Sequence, residues 1–398
     1  MPRRPSALNL IRLALLGLGL LFVATGLLPA REAWAEMERI GPILLFLAAV
    51  IVMAELVKEA QVFDVVATRL AVLGRGNHAA LFLLCVAFAS LVTVFLNLDT
   101  TVVLLTPVML ALAARTGIAA LPPAMTTLWL ANTAALLLPV SNLTNLLAVD
   151  RLGMSAREFA GRLWFPQLVS IAVTAVLLWV FFWRRGRRGP RGTGRYRPPV
   201  AEAVSDPLLF RIAAGACALF VAAILLEVPI QLAAVAGAAL MLAAFAWRDR
   251  SKLTLALFPW QLLVFVVGLF LVVPTLSRYG LAGVMSALIG TGEGGEAAGA
   301  YRVAAVGAAL SNLVNNLPAY TVVEHVIPAG DRDLLLALLI GTNVGPVITP
   351  WASLATLLWF EWCRRRGVRV PMLTFVLTGT VLVVSCVTAT VGALLLTA

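Results

Sequence analysis

The sequence has few charged residues, few cysteines and almost no lysine, and each shortage narrows the class of protein. Only 12% of the 398 residues are charged and 61% are hydrophobic, whereas a soluble domain has about 25% charged and about 45–50% apolar residues. Apolar stretches of about 20 residues, the length that crosses a bilayer, recur along the whole sequence. This distribution excludes a soluble protein with a single anchor and predicts a polytopic membrane protein.

The four cysteines are too scattered to indicate a chemical role. No two of them are close in the sequence, and the set is Cys85, Cys217, Cys363 and Cys386. A disulfide framework or a metal site needs cysteines at short, regular spacings. We therefore expect no metal site and four inert apolar side chains within or near membrane helices.

Motifs for nucleotide and nucleic-acid binding are absent as well. The chain has no GxxxxGK[ST] loop, and neither of its lysines, Lys58 and Lys252, lies in one, which excludes ATP hydrolysis at a Walker-type site. The net charge of +11 comes almost entirely from arginines in short runs between apolar stretches. Because no basic stripe carries interleaved aromatic residues, these runs indicate membrane topology rather than a nucleic-acid surface.

The apolar stretches predict an all-α protein with nine full membrane spans and two re-entrant hairpins. The spans are 8–29, 41–58, 119–149, 160–183, 207–227, 230–247, 257–276, 333–362 and 371–396. The blocks 79–115 and 297–327 are too long for one crossing and polar in the middle, so each is predicted to be a helical hairpin. The first span ends near a sequence that resembles a signal-peptidase site, at 33–35. It is longer than a signal core of about 7–15 residues, so a membrane helix is predicted.

The arginines predict the orientation of the spans. With the N-terminus in the cytoplasm, every basic run falls on the cytoplasmic side, as the positive-inside rule requires. These runs contain Arg3, Arg4, Arg12, Arg69, Arg75, Arg115, the arginines of 184–191, Arg248, Arg250 and 364–366. The acidic or mixed loops 32–39, 150–151, 293–296 and 331–333 then lie outside, together with the C-terminus.

A basic linker divides the chain into two halves of similar plan. Residues 184–206 are rich in Arg, Gly and Pro and are predicted to be a cytoplasmic linker. They separate a first repeat, 1–183, from a connecting helix and a second repeat, 207–398. A shift of 211 positions aligns 131–147 with 342–358, so that Asn132 meets Asn343 and Pro139 meets Pro350.

The two repeats are predicted to have opposite orientations in the membrane. The span 119–149 runs outward and the span 333–362 runs inward, and both contain residues that interrupt a helix. Inverted repeats with interrupted helices are typical of secondary transporters, which bind substrate near the midplane. The predicted helix-breaking residues are Pro139, Pro318, Gly345, Pro346 and Pro350, because proline removes a backbone donor and glycine weakens a helix. The alternative is ordinary kinked helices held by Asn and Ser hydrogen bonds.

Three motifs carry a resemblance to a known family. They are 345–359, similar to GPxITPxxSLATLLW, the hairpin 311–318, similar to SNxxNNxP, and 131–145, similar to ANTAxxxxxxSNxxN. Together they resemble the arsenite/antimonite efflux family of bacterial arsenical resistance, the arsenical pump membrane proteins of the ion-transporter superfamily. The family has Asn directly before the Asp of its first hairpin, whereas here Leu98 separates Asn97 from Asp99.

Asp99 is the residue expected to couple transport to protons. A carboxylate near the membrane centre costs about 2.5–3.5 kcal/mol on insertion scales, which makes a functional role the default. Its alternative role is that of a buried acid satisfied by neighbouring hydroxyl and amide groups. The polar residues expected to bind substrate share the interrupted segments. They are Asn97, Thr100, Asn132, Ser141, Asn142, Asn145, Ser311, Asn312, Asn315, Asn316, Asn343, Thr349 and Ser353.

The resemblance implies export of arsenite or antimonite across the bacterial cytoplasmic (inner) membrane. Arsenite at neutral pH is mostly an uncharged trihydroxide, which Asn, Ser and Thr groups can bind. The expected site contains no Arg or Lys, which argues against an anionic substrate, and thiol ligation would need cysteines that converge. The expected energy source is a proton gradient without a cofactor, and the expected state is a monomer or homodimer. The resemblance also allows a separate cytoplasmic arsenite-stimulated ATPase.

Two other functions stay open from the sequence. The first is a sodium/proton antiporter or a sodium-coupled anion carrier of the same superfamily. The second is a membrane sensor or scaffold that keeps the fold without transport. An intramembrane enzyme has no motif to support it.

Overall fold

A computed structural model describes residues 7–184, 196–199, 204–226, 228–290, 295–328 and 330–397. Within these residues the chain is helical and has no strand, which confirms the predicted all-α class. Most of the predicted basic linker, together with Arg3, Arg4 and 293–294 of the predicted acidic loop, lies outside them.

The described residues of the first half form eight α-helices. They are α1 (Ala7–Ala24), α2 (Ala30–Glu59), α3 (Val62–Leu73), α4 (His78–Phe95), α5 (Leu98–Thr116), α6 (Leu121–Thr133), α7 (Leu143–Leu152) and α8 (Ala156–Leu178), which continues as a π-helical turn, Trp179–Trp183. Local sequence sets several of their ends. The side chain of Asn77 accepts hydrogen bonds from the first turn of α4, and Ser155 with Glu158 forms a capping box that begins α8.

The described residues of the second half form nine α-helices on a similar plan. They are α9 (Pro207–Leu225), α10 (Ile230–Arg248), α11 (Trp260–Leu276), α12 (Ala282–Ile289), α13 (Gly295–Val314), α14 (Asn316–Glu324), α15 (Arg332–Val344), α16 (Leu354–Arg365) and α17 (Met372–Leu396). A π-helical turn, Ser277–Leu281, joins α11 to α12.

Nine helices of the described residues are long and apolar enough to cross a membrane. They are α2, α4, α5, α8, α9, α10, the segment containing α11, α13 and α17. This set differs from the nine predicted spans, because it includes hairpin arms and omits the interrupted helices, whose halves are too short. It also omits the predicted span 8–29, of which Arg12–Ala24 counts only as a shorter apolar helix. The prediction that residues 32–39 form a loop is wrong. They belong to α2, where Glu32 pairs with Arg278 and Arg39 pairs with Asp150.

The helices form two bundles. In the peripheral bundle, α1 packs along α11 while α2 packs on α10 and α11, and α9 packs on α10. In the core bundle, both hairpins (α4–α5 and α13–α14) pack with the interrupted helices and with α8 and α17. Close backbone contact holds the core. A Cβ atom on Gly341 would lie 2.1 Å from the carbonyl oxygen of Ala304, and one on Gly345 would lie 2.6 Å from Ala308 Cα. Such small-residue contacts are a common way for membrane helices to pack.

The interrupted helices show the repeat. Helices α6 and α15 start and end 211 residues apart, and so do the starts of α7 and α16. The packing is reciprocal: α7 contacts α14 and α15 of the second half, and α16 contacts α5 and α6 of the first. The division of the chain into domains at 183 and 207 stays a prediction.

Ion pairs join residues in or near the predicted loops at two ends of the molecule, which we call the acidic end and the basic end. At the acidic end, Arg39 binds Asp150 and Arg162 binds Asp333. At the basic end, Lys252 binds Glu59 and Arg248 binds Asp206. The loops assigned to one side of the membrane therefore meet at one end. That the basic end faces the cytoplasm stays a prediction.

Candidate functional site

Asp99 lies between the N-termini of two helices from different repeats. Its backbone N–H donates a 2.8 Å hydrogen bond to Oδ1 of Asn97, the residue that caps α5. Its carboxylate accepts a hydrogen bond from the backbone N–H of Ala355, in the first turn of α16. The N-terminal end of a helix carries a partial positive charge. Both helix ends therefore favour a negative charge at this position.

Four buried oxygen atoms on the neighbouring helices α5 and α6 have no hydrogen-bond partner among the described residues. They are Oδ1 of Asp99, Oγ1 of Thr100, Oγ1 of Thr101 and Oδ1 of Asn132, and we call the four residues the carboxylate pocket. Buried polar atoms are rarely left unpaired, so a group of them indicates a place for a ligand, a proton or water.

Helix packing brings α6, which carries Asn132, against α16. Trp359 Nε1 donates a 2.8 Å hydrogen bond to the carbonyl oxygen of Ala124 and thereby joins α16 to α6. In the second repeat, the equivalent Asn343 forms hydrogen bonds with the start of α7. From this equivalence we infer that Asn132 lies opposite the start of α16.

The equivalent place in the other repeat is a closed set of hydrogen bonds. Asn343 accepts at Oδ1 from Asn142 Nδ2 and from Thr144 Oγ1 at 2.8 Å, and its Nδ2 donates to Asn145 Oδ1 at 2.7 Å. Asn145 in turn donates to the carbonyl oxygens of Ala135 and Leu138. We call Asn142, Thr144, Asn145 and Asn343 the amide network; all four are buried.

A side-chain amide supports the unwound segment of each interrupted helix. In the first repeat, Gln167 Oε1 accepts from the backbone N–H groups of Leu136 and Leu137. In the second, Asn312 Oδ1 accepts from Ile348 and Thr349, and Asn312 Nδ2 donates to the carbonyl oxygen of Gly345. The chain therefore satisfies these backbone groups itself, as membrane depth requires.

A cavity of about 160 Å³ connects the carboxylate pocket with the peripheral bundle on the side of the basic end. Asp99 and Thr100 line it from the core bundle, while Arg12, Glu55 and Gln261 line it from the peripheral bundle. The expectation that the site contains no Arg or Lys is therefore wrong. Arg12 belongs to α1, which folds against α11 and brings its side chain to this cavity. A larger cavity, of about 890 Å³, lies at the acidic end, lined by Glu296, Asp331 and their neighbours.

The structure does not bring all predicted site residues to one place. Asn97, Asp99, Thr100, Asn132 and Ser353 lie at the junction of α5, α6 and α16, where Ser353 caps α16. Asn142, Asn145 and Asn343 form the amide network.

The remaining predicted residues have structural partners. Ser141 donates to the carbonyl oxygen of Val94, and Ser311 donates to Gly307 of its own helix. Thr349 bonds to Asn312, Asn315 Nδ2 donates to the carbonyl oxygen of Trp351, and the backbone N–H of Asn316 donates to that of Ala352. These contacts fix the tips of the hairpins.

One of the predicted helix-breaking residues, Pro318, does not break a helix. It lies in the first turn of α14, where a missing N–H costs no hydrogen bond. Gly345 directly follows the last residue of α15, and the absence of a side chain there allows the close contact with Ala308. Pro139 begins a short 3₁₀ turn, and Pro346 and Pro350 lie in the unwound segment after Val344.

Sequence reasoning missed Arg12, Gln167 and Thr101. Arg12 was assigned to topology, although it lies within the predicted span 8–29, where a charge is costly. Gln167 is a polar residue in the middle of the span 160–183, which could have indicated a buried partner. Glu55 forms a 2.9 Å ion pair with Lys58 and also lines the cavity.

An ionic cluster closes the acidic end between the two bundles. Glu324, whose side chain is 1% exposed, accepts from Arg39 at 3.0 Å and lies 3.8 Å from Arg151. Arg39 belongs to the peripheral bundle, and Glu324 to the core bundle. The bundles are thus held together at the acidic end, whereas a cavity separates them nearer the basic end.

Comparisons with known proteins agree with this architecture. A family model described as "citrate transporter", CitMHS, matches residues 6–341. The chain is 29% identical to the arsenical pump membrane protein of Escherichia coli K12 over 87% of this chain and 84% of that one. It is 24% identical to a putative arsenical pump membrane protein of Bacillus subtilis over 79% and 78% of the two chains. The fold resembles that of the Alcanivorax borkumensis YdaH transporter, with a TM-score of 0.60 and 14% identity over 91% of this chain and 86% of that one. The resemblance predicted from the motifs is confirmed.

Proposed function

The chain belongs to the citrate transporter family CitMHS, and from this premise we propose that it exports arsenite or antimonite in exchange for protons. It is a multi-pass membrane transporter of this family. The substrate, the direction and the proton are our proposal. The similarity to arsenical pump membrane proteins supports the substrate, and the carboxylate pocket supports the proton.

The observation that carries the proposal is the unpaired oxygen of Asp99. One end of the carboxylate is held by Ala355, and Oδ1 has no partner among the described residues. Burial favours the uncharged form of a carboxyl group, whereas the two helix N-termini favour the charged form. These opposing effects suit a group that gains and loses a proton as its surroundings change.

The other unpaired atoms suit a small neutral substrate. Arsenite as the trihydroxide carries three hydroxyl groups that donate and accept hydrogen bonds. The carbonyl oxygen of Asn132 can accept from such a hydroxyl, and the hydroxyls of Thr100 and Thr101 can do either. In this proposal, substrate and proton compete for the carboxylate pocket, and such competition produces exchange.

Arg12 favours a second candidate function, transport of an anion. Its guanidinium lies on the cavity, and helix N-termini can bind anions without further help. A sodium-coupled anion carrier fits these two features. Asp99 on the same cavity opposes it, because a carboxylate repels an anion.

Transport requires the carboxylate pocket to face each side in turn. We propose that the core bundle moves as a rigid body against the peripheral bundle, the usual behaviour of folds with inverted repeats. The cavity near the basic end and the ionic cluster at the acidic end fit a conformation open to the cytoplasm. No cofactor is needed in this scheme, and pairing with a separate ATPase remains a proposal from the resemblance.

The direct test measures arsenite accumulation in everted vesicles, with and without an imposed pH gradient, for the wild type and for Asp99→Asn. The wild type should accumulate arsenite only with the gradient. Asp99→Asn should lower the gradient-driven rate by at least about 100-fold, the scale for loss of a positioned proton-transfer group. Its matched control is Glu59→Gln, which removes a carboxylate from the ion pair with Lys252 outside the pocket.

Correctly inserted wild-type protein that accumulates no arsenite would reject the substrate assignment. Citrate and other carboxylates with a sodium gradient would then be tested. Accumulation that survives in Asp99→Asn and still follows the pH gradient would reject Asp99 as the proton carrier.

A further inference from the structure

Arg12 is held rigidly on the peripheral bundle. Its Nη1 donates a 2.8 Å hydrogen bond to Oε1 of Gln261, in the first turn of α11. Helices α1 and α11 touch at their backbones, since a Cβ atom on Gly268 would lie 2.6 Å from the backbone nitrogen of Leu16. The two helices therefore form a rigid pair that fixes Arg12 at one position.

Asp99 lies on the opposite wall of the same cavity. Arg12, Glu55 and Asp99 are the charged groups among the described residues that line it. The charge of Glu55 is balanced by Lys58, its ion-pair partner at 2.9 Å. Helix α16 contributes only Leu354 and Leu358 to the lining. Arg12 and Asp99 attract each other across this boundary between the bundles.

We propose that Arg12 is a positioning residue for proton coupling, the fixed counter-charge that Asp99 meets only when the pocket faces the basic end. The inference deepens the proposed function and rests on it. In this conformation the carboxyl group of Asp99 breaks its O–H bond and gives the proton to water in the cavity. The carboxylate keeps the electron pair, and Arg12 stays protonated throughout.

Movement of the core bundle separates the pair. Asp99 travels with α5 and α16, while Arg12 remains with α1 and α11. An ionised carboxylate at membrane depth without a counter-charge is unfavourable. Asp99 therefore binds a proton on the other side before or during the return. The two bundles thus bias proton release toward one face and proton uptake toward the other.

The test compares two transport modes in proteoliposomes carrying purified protein. One is arsenite uptake driven by a pH gradient, which requires net proton release from Asp99. The other is arsenite counterflow at equal pH on both sides, in which labelled arsenite exchanges for unlabelled arsenite without net proton movement. We compare the wild type, Arg12→Gln, Arg12→Lys and the control Arg250→Gln, which removes an exposed charge at the basic end.

Arg12→Gln should lower gradient-driven uptake by at least about tenfold, the effect of an opposite charge at close range on a carboxylate. Counterflow at saturating arsenite, where the substrate outcompetes the proton, should stay within about twofold of the wild type. Arg12→Lys should restore most of the gradient-driven uptake, because it restores the charge. Arg250→Gln should match the wild type in both modes.

Equal losses in both modes for Arg12→Gln would overturn the inference and show that Arg12 binds substrate or maintains the fold. Failure of Arg12→Lys to restore uptake would overturn it as well, because the charge would not be the property that matters. A wild-type protein without arsenite counterflow would reject the proposed function, and the inference would fall with it.

Discussion

The carboxylate pocket and the amide network occupy equivalent places in the two repeats and differ in how their hydrogen bonds are completed. At the amide network, Asn343 bonds to Asn142, Thr144 and Asn145. At the carboxylate pocket, the equivalent Asn132 donates to the carbonyl oxygen of Leu128 in its own helix, and its Oδ1 has no partner among the described residues. The polar groups of the amide network thus bond to one another, whereas those of the carboxylate pocket can still bond to a ligand.

Three side chains account for the difference. The positions 211 residues after Asn142, Thr144 and Asn145 hold Ser353, Ala355 and Thr356, all shorter or without a polar group. Part of the pattern is shared. Thr356 Oγ1 donates to the carbonyl oxygen of Pro346, as Asn145 donates to that of Ala135. The shorter side chains leave the pocket open on a similar backbone arrangement. The amide network is therefore a structural joint, and the carboxylate pocket is the candidate binding place.

The largest effect on stability should come from truncating the centre of the amide network. Asn343→Ala removes three buried side-chain hydrogen bonds and leaves their partners unpaired. At about 0.6–1.7 kcal/mol per bond in a membrane protein, the free energy of unfolding should fall by about 2–4 kcal/mol. Thermal unfolding in detergent micelles measures the change.

Asn132→Ala is the matched variant in the other repeat. It removes one hydrogen bond within α6 and an oxygen that has no partner, so unfolding should change by less than about 1 kcal/mol. Arsenite counterflow should fall clearly in Asn132→Ala, although the free energy of unfolding barely changes. Equal losses of stability in the two variants would contradict the distinction between joint and pocket.

The opposite substitution should give the carboxylate pocket a hydrogen bond like those of the amide network. In Ser353→Asn the longer amide can donate to the unpaired Oδ1 of Asn132, as its equivalent Asn142 donates to Oδ1 of Asn343. The new bond should raise the free energy of unfolding by about 0.5–1 kcal/mol and lower arsenite counterflow by about tenfold, because it occupies the acceptor. Both quantities are measured on the same purified protein.

Ser353→Thr is the control, since it keeps a hydroxyl and cannot reach further. A Ser353→Asn protein that is more stable and transports at the wild-type rate would remove Asn132 from the substrate site.

Much of the architecture could be predicted from the sequence. Hydropathy indicates where the apolar helices lie, and the 211-residue repeat indicates which helices of the two halves are equivalent. The interrupted helices were located from Asn132, Asn343 and their neighbouring prolines, and α6 and α15 match at both ends. The roles of the amides could not be predicted. Asn142 and Asn132 look alike in sequence, but one is satisfied by Asn343 and the other retains an unpaired oxygen. That difference depends on side-chain reach across two repeats, which a linear pattern does not contain.

Arg12 and Gln167 illustrate the same limit. Each lies far in sequence from the groups it serves, so that Arg12 meets Gln261 and the Asp99 cavity while Gln167 supports Leu136 and Leu137. An arginine in a first span satisfies the positive-inside rule without further explanation. Its second role depends on how α1 packs against α11, which single-span hydropathy does not specify.

The smallest contrast concerns the residues that begin the second arm of each hairpin. Asn97 caps α5 with a 2.8 Å bond from Asp99 N, and Asn315 caps α14 with a 3.4 Å bond from Leu317 N. Asn315 has φ 108°, a conformation that glycine adopts easily, whereas Asn97 has φ −88°. Asn97→Ala should therefore cost about 1 kcal/mol of unfolding free energy, and Asn315→Gly only a few tenths.

The two caps should also differ in their effect on transport. Asn97 positions the backbone of Asp99, so Asn97→Ala should lower gradient-driven arsenite uptake even in protein that remains folded. Asn315→Gly should leave uptake close to the wild type. Asn97→Asp keeps an acceptor for the Asp99 N–H but places a second carboxylate beside the pocket. If that variant takes up arsenite as fast as the wild type, the pocket tolerates an added negative charge, and a single carboxyl group is not what limits exchange.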